Sequence, residues 1–293
     1  MRIGHCQYQS LPGDLEGNLA KVVRGMELAD RERVQIVSFP ECFLTGYQDT
    51  EAAARATAFP VDSPLLTAFL ERICGFRATC IVGFNERRGP DLYNTAVVVE
   101  QGRLLGQYSK CSAYMPFHRQ GREFPVFERD GVPFGVVICS DGGYIEPTRI
   151  LALKGARIIF SPHYNYISKE SLLSHFTTVR ADHVARAVEN RVWFVRGNNV
   201  TPKGPDPAIQ QYDGVGYGDS YIVDPAGEIL VRSRRHQEDF LFADIDPDMA
   251  EDRTWTVGRS RWSARELGQA LLEAAAQAEE GETPKRTGRP AGA

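Results

Sequence analysis

The chain has 293 residues, of which 42% are hydrophobic and 25% are charged, and its formal net charge is -4 at pH 7. This composition is that of a globular protein with enough length for a large core, and the mixed charges exclude a basic nucleic-acid or polybasic membrane surface. No apolar run approaches the roughly 18 residues of a membrane span, and the N-terminal MRIGHCQYQS lacks the apolar core of a signal peptide. The sequence therefore predicts a cytoplasmic protein.

Strand-like and helix-like segments alternate along the first half of the chain. RIGHCQYQ alternates apolar and polar residues, as a half-buried strand does. Asp14 is the predicted N-cap of the helix that follows, and Ser63 with Pro64 opens another helix. VQIVSFPE is a predicted strand, and ATCIVGFNE and LYNTAVVVEQG are predicted to pair across the turn-rich RRGPD.

The second half continues the alternation. VPFGVVICSD is a predicted strand, and the helix PTRILALKG after it can end at Gly155. RIIFSPH is a buried strand, residues 168–190 carry apolar side chains at helical spacing, and RVWFVRGNN, DSYIVDPAG and DFLFADID are further strands. The absence of a repeat or linker predicts one α/β domain over residues 1–262, with sheets covered by helices.

The end of the chain differs in character. An Ala/Glu-rich helix is predicted over about residues 263–280, and the polar GETPKRTGRPAGA after it has the composition of a disordered tail. We therefore separate residues 263–293 from the domain.

The cysteines and histidines do not form a recognisable framework or metal motif. Six cysteines in so long a chain, without a CxxC pair, predict no set of disulfides. His175 and His183 are eight residues apart, which is not the spacing of a helical zinc pair. We expect no protein-bound metal.

Three polar residues follow strand-like runs: Glu41, Lys110 and Cys139. Functional groups of α/β domains gather where strands end. A thiol nucleophile needs a base to take its proton or a cation to stabilise the thiolate. Glu41 can be that base, Lys110 can stabilise a thiolate and then an oxyanion, and the backbone N–H of Ser140 can be a second oxyanion donor.

Each of these residues also has an ordinary structural explanation. A free cysteine behaves as a small buried hydrophobe, and a charged residue after a strand is commonly a solvated strand end. Spacing alone does not bring the three residues together. A pair of Cys139 and His163, as in papain-like peptidases, is a further alternative, although the other sequence signatures of those enzymes are absent.

The chain resembles the nitrilase superfamily of carbon–nitrogen hydrolases over residues 2–246. The matching segments are, in order, SFPECFLTGY, LYNTAVVV, GQYSK, GVVICSD, GARIIFSP, RAVENRVWFVRGNN and DSYIVDPAGEIL. The resemblance implies a four-layer α-β-β-α sandwich, a homodimer or higher homo-oligomer, and a triad of Glu41, Lys110 and Cys139. It implies hydrolysis of a small amide, N-carbamoyl compound or nitrile through a thioester, without a cofactor. Amide or carbamoyl substrates are favoured because they are the commoner ones in the family.

The chain departs from the family pattern at two positions. Relatives commonly carry a second glutamate where this chain has Tyr114, and many carry an arginine where it has Gly143. A phenol is both donor and acceptor, so Tyr114 either replaces the glutamate as a hydrogen-bonding group or forms a pocket wall. Glycine cannot replace a bidentate arginine, so we expect no substrate carboxylate to be held at residue 143. The missing glutamate also leaves open a binding or scaffold protein with weakened catalysis.

The residues next to the predicted strand ends indicate an aromatic substrate pocket. Its candidate residues, which include the oxyanion donor, are Tyr47, Tyr114, Phe117, Ser140, Tyr144, His163 and Tyr164. An apolar pocket with few polar groups suits a small organic amide or nitrile. Any one of these rings can instead simply pack against its neighbours.

Overall fold

The computed structural model describes residues 1–201, 214–250 and 263–280. The chain divides into two compact units, Met1–Asp252 and Arg253–Ala293. The strands are β1 (Arg2–Gln7), β2 (Ile36–Ser38), β3 (Thr79–Arg88), β4 (Asp91–Glu100), β5 (Arg103–Ser109), β6 (Phe127–Arg129), β7 (Val132–Val136), β8 (Ile158–Pro162), β9 (Tyr166–Ser168), β10 (Trp193–Gly197), β11 (Gly214–Gly216), β12 (Tyr221–Val223), β13 (Ile229–Arg232) and β14 (Asp239–Asp244). The helices are α1 (Leu15–Arg31), α2 (Glu51–Thr57), α3 (Pro64–Ile73), α4 (Ile145–Leu153), α5 (Leu172–Asn190) and α6 (Ala264–Glu280).

Two six-stranded sheets form the first unit. The first sheet has the order β14-β1-β2-β3-β4-β5, and the second has the order β13-β12-β10-β8-β7-β6. Strands β1, β2 and β3 are parallel, and two antiparallel pairings return β5 to the direction of β3. Strands β7, β8 and β10 are likewise parallel. The carboxyl ends of β2 and β5 therefore lie at one edge of the first sheet, and those of β7 and β8 at one edge of the second.

Three apolar layers hold these elements together. Side chains of α1 and α3, such as Met26 and Phe69, pack on the outer face of the first sheet. Ile36 from the first sheet and Phe160 from the second share a core between the sheets. Ala187 of α5 belongs to the third layer, on the outer face of the second sheet. The order helix, sheet, sheet, helix confirms the predicted four-layer α-β-β-α sandwich.

The helix starts that the sequence signals most clearly are confirmed. Asp14 Oδ1 accepts a hydrogen bond from Gly17 N at 2.9 Å at the start of α1. Ser63 Oγ accepts one from Leu66 N at 3.1 Å at the start of α3. These side chains satisfy N–H groups that the first turn of a helix leaves without an intrahelical partner.

Some short elements were not predicted. They are helix α2, strands β6 and β13, and a two-stranded sheet of β9 and β11. None of them is long enough to show a hydrophobic period, which is the main sequence signal for a helix or a strand.

The second unit is described only over part of its length. Helix α6 covers the segment predicted to be helical. The proposed boundary at residue 262 and the tail beyond residue 280 lie outside the described residues, so both stay predictions. Among the helices that the structure describes, none combines the length and apolarity needed to cross a bilayer.

Candidate active site

Glu41 and Lys110 form a buried ion pair at the edge where β2 and β5 end. Lys110 Nζ donates to Glu41 Oε1 at 2.7 Å, and the two side chains are only 3% and 1% exposed. Asn94 Nδ2 donates to the same oxygen at 2.7 Å, and the backbone N–H of Tyr164 donates to Oε2 at 2.9 Å. These three donors fix the carboxylate and leave it little freedom to reorient.

Cys139 lies beyond the end of β7 in a strained backbone conformation. Its φ is +51°, in the left-handed region that residues other than glycine seldom adopt, and a short 3-10 turn, Cys139–Gly143, begins there. Its thiol interacts with Glu41, with Lys110 and with the backbone N–H of Tyr164. The structure thus brings the three predicted residues together, from three different strand ends.

The electrostatics of the group favour a neutral thiol beside a charged ion pair. Burial and then the Glu41 carboxylate raise the pKa of Cys139, Lys110 opposes the rise, and the net result is a pKa of about 12. Burial alone lowers the pKa of Lys110, but its interactions with Glu41, Cys139 and Asp141 outweigh burial, so the pKa of Lys110 is raised above its usual value. The thiol therefore keeps its proton until a base takes it, and Lys110 stays positively charged.

Asp141 braces the turn after Cys139. Its side chain is fully buried and accepts hydrogen bonds from Ile138 N at 3.1 Å and Tyr108 Oη at 2.7 Å. Ser112 N donates to it at 2.7 Å from the loop that follows Lys110. The turn and that loop are thus tied to one carboxylate. Ser140 follows Cys139 within this turn, and its backbone N–H stays the predicted second oxyanion donor.

A cavity of about 790 Å³ opens onto the thiol. Its lining residues are Tyr47, Asp49, Lys110, Tyr114, Met115, Pro116, Phe117, Cys139, Ser140, Gly143, His163, Tyr164, Asn165, Tyr166, Ile167, His175, Val179, Asp182 and His183. Six of the seven pocket candidates are among them. Tyr144 is the exception: it is 54% exposed and does not line the cavity, because it caps α4 on the outer side of the turn.

The aromatic residues of the cavity have different surroundings. Tyr47 stacks on Tyr164 with ring centroids 4.3 Å apart and planes 4° from parallel, and both are buried. Tyr114 is 76% exposed at the mouth of the cavity. Within the described residues it makes no hydrogen bond to Lys110, so the geometry favours a pocket wall over a replacement for the missing glutamate.

His163 faces the cavity but is not paired with the thiol. Its Nε2 lies 2.9 Å from Ser161 Oγ, and burial together with the nearby Arg196 lowers its pKa well below the usual value. Besides Glu41, the side chain of Asn165 contacts Cys139, and its Nδ2 donates to Sγ at 3.7 Å. This arrangement does not favour the papain-like alternative.

The sequence reasoning missed several polar residues of the site. Asn94 and Asn165 contact the predicted triad, Arg196 contacts Asn165, and Asp182 lines the cavity from α5. Asn94 lies inside LYNTAVVV, and Asn165 directly follows SPHY. A polar residue within or just after an apolar strand is the sequence feature that could have identified both as site residues. Asp182 sits on a helix with no distinguishing pattern around it.

Comparison with known proteins gives a consistent result. The family model described as carbon-nitrogen hydrolase matches residues 2–254. A nitrilase of Pyrococcus abyssi is 30% identical over 78% of this chain and 83% of its own. A glutamine-dependent NAD(+) synthetase of Thermotoga maritima is 28% identical over 85% of this chain, which spans only 42% of that protein.

Solved structures show the same fold. An amidase from Nesterenkonia sp. AN1 is 24% identical, with a TM-score of 0.72 over 93% of this chain and 100% of that one. A carbon-nitrogen hydrolase from Helicobacter pylori G27 is 21% identical, with a TM-score of 0.77 over 93% of this chain and 98% of that one. The fold and the match along the sequence define a nitrilase-superfamily enzyme. The chain belongs to the carbon–nitrogen hydrolase family.

Proposed function

We propose that this enzyme hydrolyses small primary amides or N-carbamoyl compounds, with Cys139 as nucleophile, Glu41 as general base and Lys110 as oxyanion donor. The observation that carries the proposal is the grouping of a carboxylate, an ammonium group and a thiol, with the ammonium group of Lys110 and the thiol of Cys139 lining one cavity. These are the three groups that acyl transfer to a thiol needs.

The first half of the proposed reaction forms a thioester. Glu41 takes the thiol proton as Sγ attacks the carbonyl carbon, and the carbonyl oxygen becomes an oxyanion. Lys110 Nζ and the backbone N–H of Ser140 are the proposed donors to that oxyanion. When the intermediate collapses, the C–N bond breaks, and the proton on Glu41 passes to the leaving ammonia or amine.

The second half releases the acid. Glu41 deprotonates a water molecule that attacks the thioester carbon, and the C–S bond breaks with return of the proton to Sγ. The neutral resting thiol fits this scheme, because the base and the nucleophile then exchange one proton in each half-reaction. Each step of the scheme uses only side-chain and backbone groups of the chain and water.

The charges of the cavity bear on the substrate. Asp182 lines it, and Gly143 stands where many relatives have an arginine. A Cβ built on Gly143 would lie 3.5 Å from Asp182 Oδ2, so a carboxylate faces that position. Of the described Lys and Arg residues, only Lys110 lines the cavity, and it is paired with Glu41. The proposed substrate therefore carries no carboxylate near residue 143.

A substrate panel tests the proposal. Ammonia release is measured from aliphatic amides, N-carbamoyl amines and nitriles of matched chain length, with wild-type enzyme and with Cys139→Ala. We expect release from amides or carbamoyl compounds that is lost in Cys139→Ala. Cys74→Ala, at an exposed cysteine outside the cavity, is the matched control. Undiminished release by Cys139→Ala would falsify the proposal, and release from nitriles alone would replace the substrate class.

Two further predictions concern the protein in the cell. We propose a cytoplasmic enzyme, and we propose that it forms a homodimer or higher homo-oligomer, as the family resemblance implies. Sedimentation of the purified protein tests the second of these.

A further inference from the structure

We propose that Arg196 orients the side-chain amide of Asn165 so that its Nδ2 group donates to the thiolate of Cys139, which makes Asn165 a fourth polar member of the active site. The inference rests on the proposed function, because it concerns how the proposed nucleophile is held. Asn165 belongs neither to the proposed triad nor to the proposed oxyanion donors.

The orientation of the Asn165 amide follows from the chemistry of its partner. Arg196 Nη2 lies 2.7 Å from Asn165 Oδ1. A guanidinium group has only donors, so the atom that it contacts must be the amide oxygen. The nitrogen is then on the other branch of the amide, and it lies 3.7 Å from Cys139 Sγ. Arg196 thus decides which end of the amide faces the thiol.

Arg196 itself is rigidly held. Its side chain is completely buried, and Nη1 donates to the backbone oxygens of Gly218 at 3.0 Å and Asp219 at 2.6 Å. Nη2 also donates to Tyr217 Oη at 2.8 Å. A buried arginine is costly unless its donors are used, and here four acceptors fix the plane of the guanidinium group.

The backbone of Asn165 is fixed as well. Its N–H is shared by two side-chain oxygens, Asn198 Oδ1 at 3.1 Å and Asn199 Oδ1 at 2.8 Å. Both the main chain and the amide are therefore set before a substrate enters. Such preorganisation is what makes a donor effective toward a charge that forms during the reaction.

Several other charged or titratable groups also act on the thiolate of Cys139, so the test must change the Asn165 donor alone. They are Glu41, Lys110, Cys42, Tyr47 and Tyr217. Replacing the Nδ2 donor by a carboxylate oxygen of similar size puts negative charge where the N–H group presented positive charge. These neighbours stay in place.

Asn165→Asp is the decisive variant. The aspartate keeps an acceptor for Arg196 but turns an oxygen toward Sγ, so it disfavours the thiolate. The rate of iodoacetamide alkylation of Cys139 near pH 9 should fall about tenfold, since one pKa unit changes the thiolate fraction by that factor. The ammonia-release kcat should fall with it, while KM changes little. Asn190→Asp makes the same change at a buried residue outside the cavity and should alkylate at the wild-type rate.

A second variant examines the orienting role. Arg196→Lys keeps the charge but loses the planar fork, so it should also slow alkylation, and the double variant should be no slower than Asn165→Asp alone. Should Arg196→Lys fail to fold, Asn165→Asp still decides. If folded Asn165→Asp is alkylated at Cys139 at the wild-type rate, the inference is wrong, even if the wild-type enzyme releases ammonia as proposed. If Asn165→Asp slows alkylation of Cys139 but the wild-type enzyme releases no ammonia from any substrate, the inference is supported and the proposed function is rejected.

Discussion

Lys110 Nζ lies 2.7 Å from Glu41 Oε1, and water is almost excluded from both groups. Taking two charges out of water is costly, and their attraction offsets the cost only while both are present. The fold's stability therefore depends on the pair, in addition to its proposed catalytic role. Removing either partner is expected to affect both activity and stability, and the two effects can be measured separately.

Glu41→Gln should remove the base and keep the shape of the site. The single amide oxygen can accept from Lys110 or from the backbone N–H of Tyr164 but not from both, because these donors contact different oxygens of the carboxylate, so the fold should survive with a lower melting temperature. The ammonia-release kcat should fall by roughly 10² to 10⁴, the usual contribution of a positioned general base. Glu16→Gln, on the exposed side of α1, is the matched control. A kcat within twofold of wild type would show that Glu41 is not the base.

Lys110→Met should destabilise the protein, because it leaves the Glu41 carboxylate buried without its cation. Breaking a buried pair in this way typically costs about 3–5 kcal/mol, which urea unfolding measures directly. Arg119→Met removes the exposed partner of Asp91 and should leave the unfolding midpoint nearly unchanged. Equal midpoints for the two variants would contradict the buried charge pair.

Stability should fall as the solution is acidified through the range below neutrality. Burial lowers the pKa of His5 to about 3, of His118 to about 4 and of His175 to about 4. Because the unfolded chain binds these protons first, their contribution to stability is complete above the unfolded pKa of about 6.5 and is lost as pH falls toward the folded values.

Urea unfolding at several pH values between about 7 and 4 measures this loss. His118→Gln should flatten the dependence of the unfolding free energy on pH, since one group that binds protons on unfolding is gone. His236→Gln, at an exposed histidine, should leave the slope as in wild type. A wild-type unfolding free energy that is constant over this range rules out neutral buried histidines.

Gly143 and Asp182 should together determine whether a carboxylate-bearing amide is accepted. A side chain fits at residue 143, because a Cβ there makes only an ordinary contact with Asp182 Oδ2. Gly143→Arg combined with Asp182→Asn should therefore fold and raise the kcat/KM ratio of an acidic amide to its neutral analogue by about tenfold or more, as a new bidentate contact would.

The single variant Gly143→Arg should gain less, because the new guanidinium group would pair with Asp182. Glu146→Gln, which removes an exposed charge near the same turn, should leave the ratio unchanged. If wild-type enzyme already prefers the acidic amide, the account of the cavity charges is wrong.

The sequence predicted features that are marked by neighbouring residues better than contacts between residues far apart in the chain. The caps at Asp14 and Ser63, the layers and the residues at three strand ends came from local patterns and from an ordered set of motifs. The meeting of Glu41, Lys110 and Cys139 came only from the family resemblance, because residues from separate strands carry no mark of their proximity. The structure then supplied what makes the contact: β2 and β5 end at one edge.

The errors and omissions have physical causes. Tyr144 was placed in the pocket because it is near Cys139 in sequence, but the tight turn Cys139–Gly143 directs it outward. Asn165 and Arg196 were missed because their pairing depends on side-chain orientation across two strands.

The most direct test of the central claim is capture of the covalent intermediate. Enzyme turning over a small amide or N-carbamoyl amine is quenched in acid within the first turnover, digested and analysed by mass spectrometry. The account predicts an acyl or carbamoyl adduct on the peptide that contains Cys139, labile to hydroxylamine as a thioester is. No such adduct should form in Cys139→Ala. Product formed at the wild-type rate without Cys139, or an adduct on a different residue, contradicts the account.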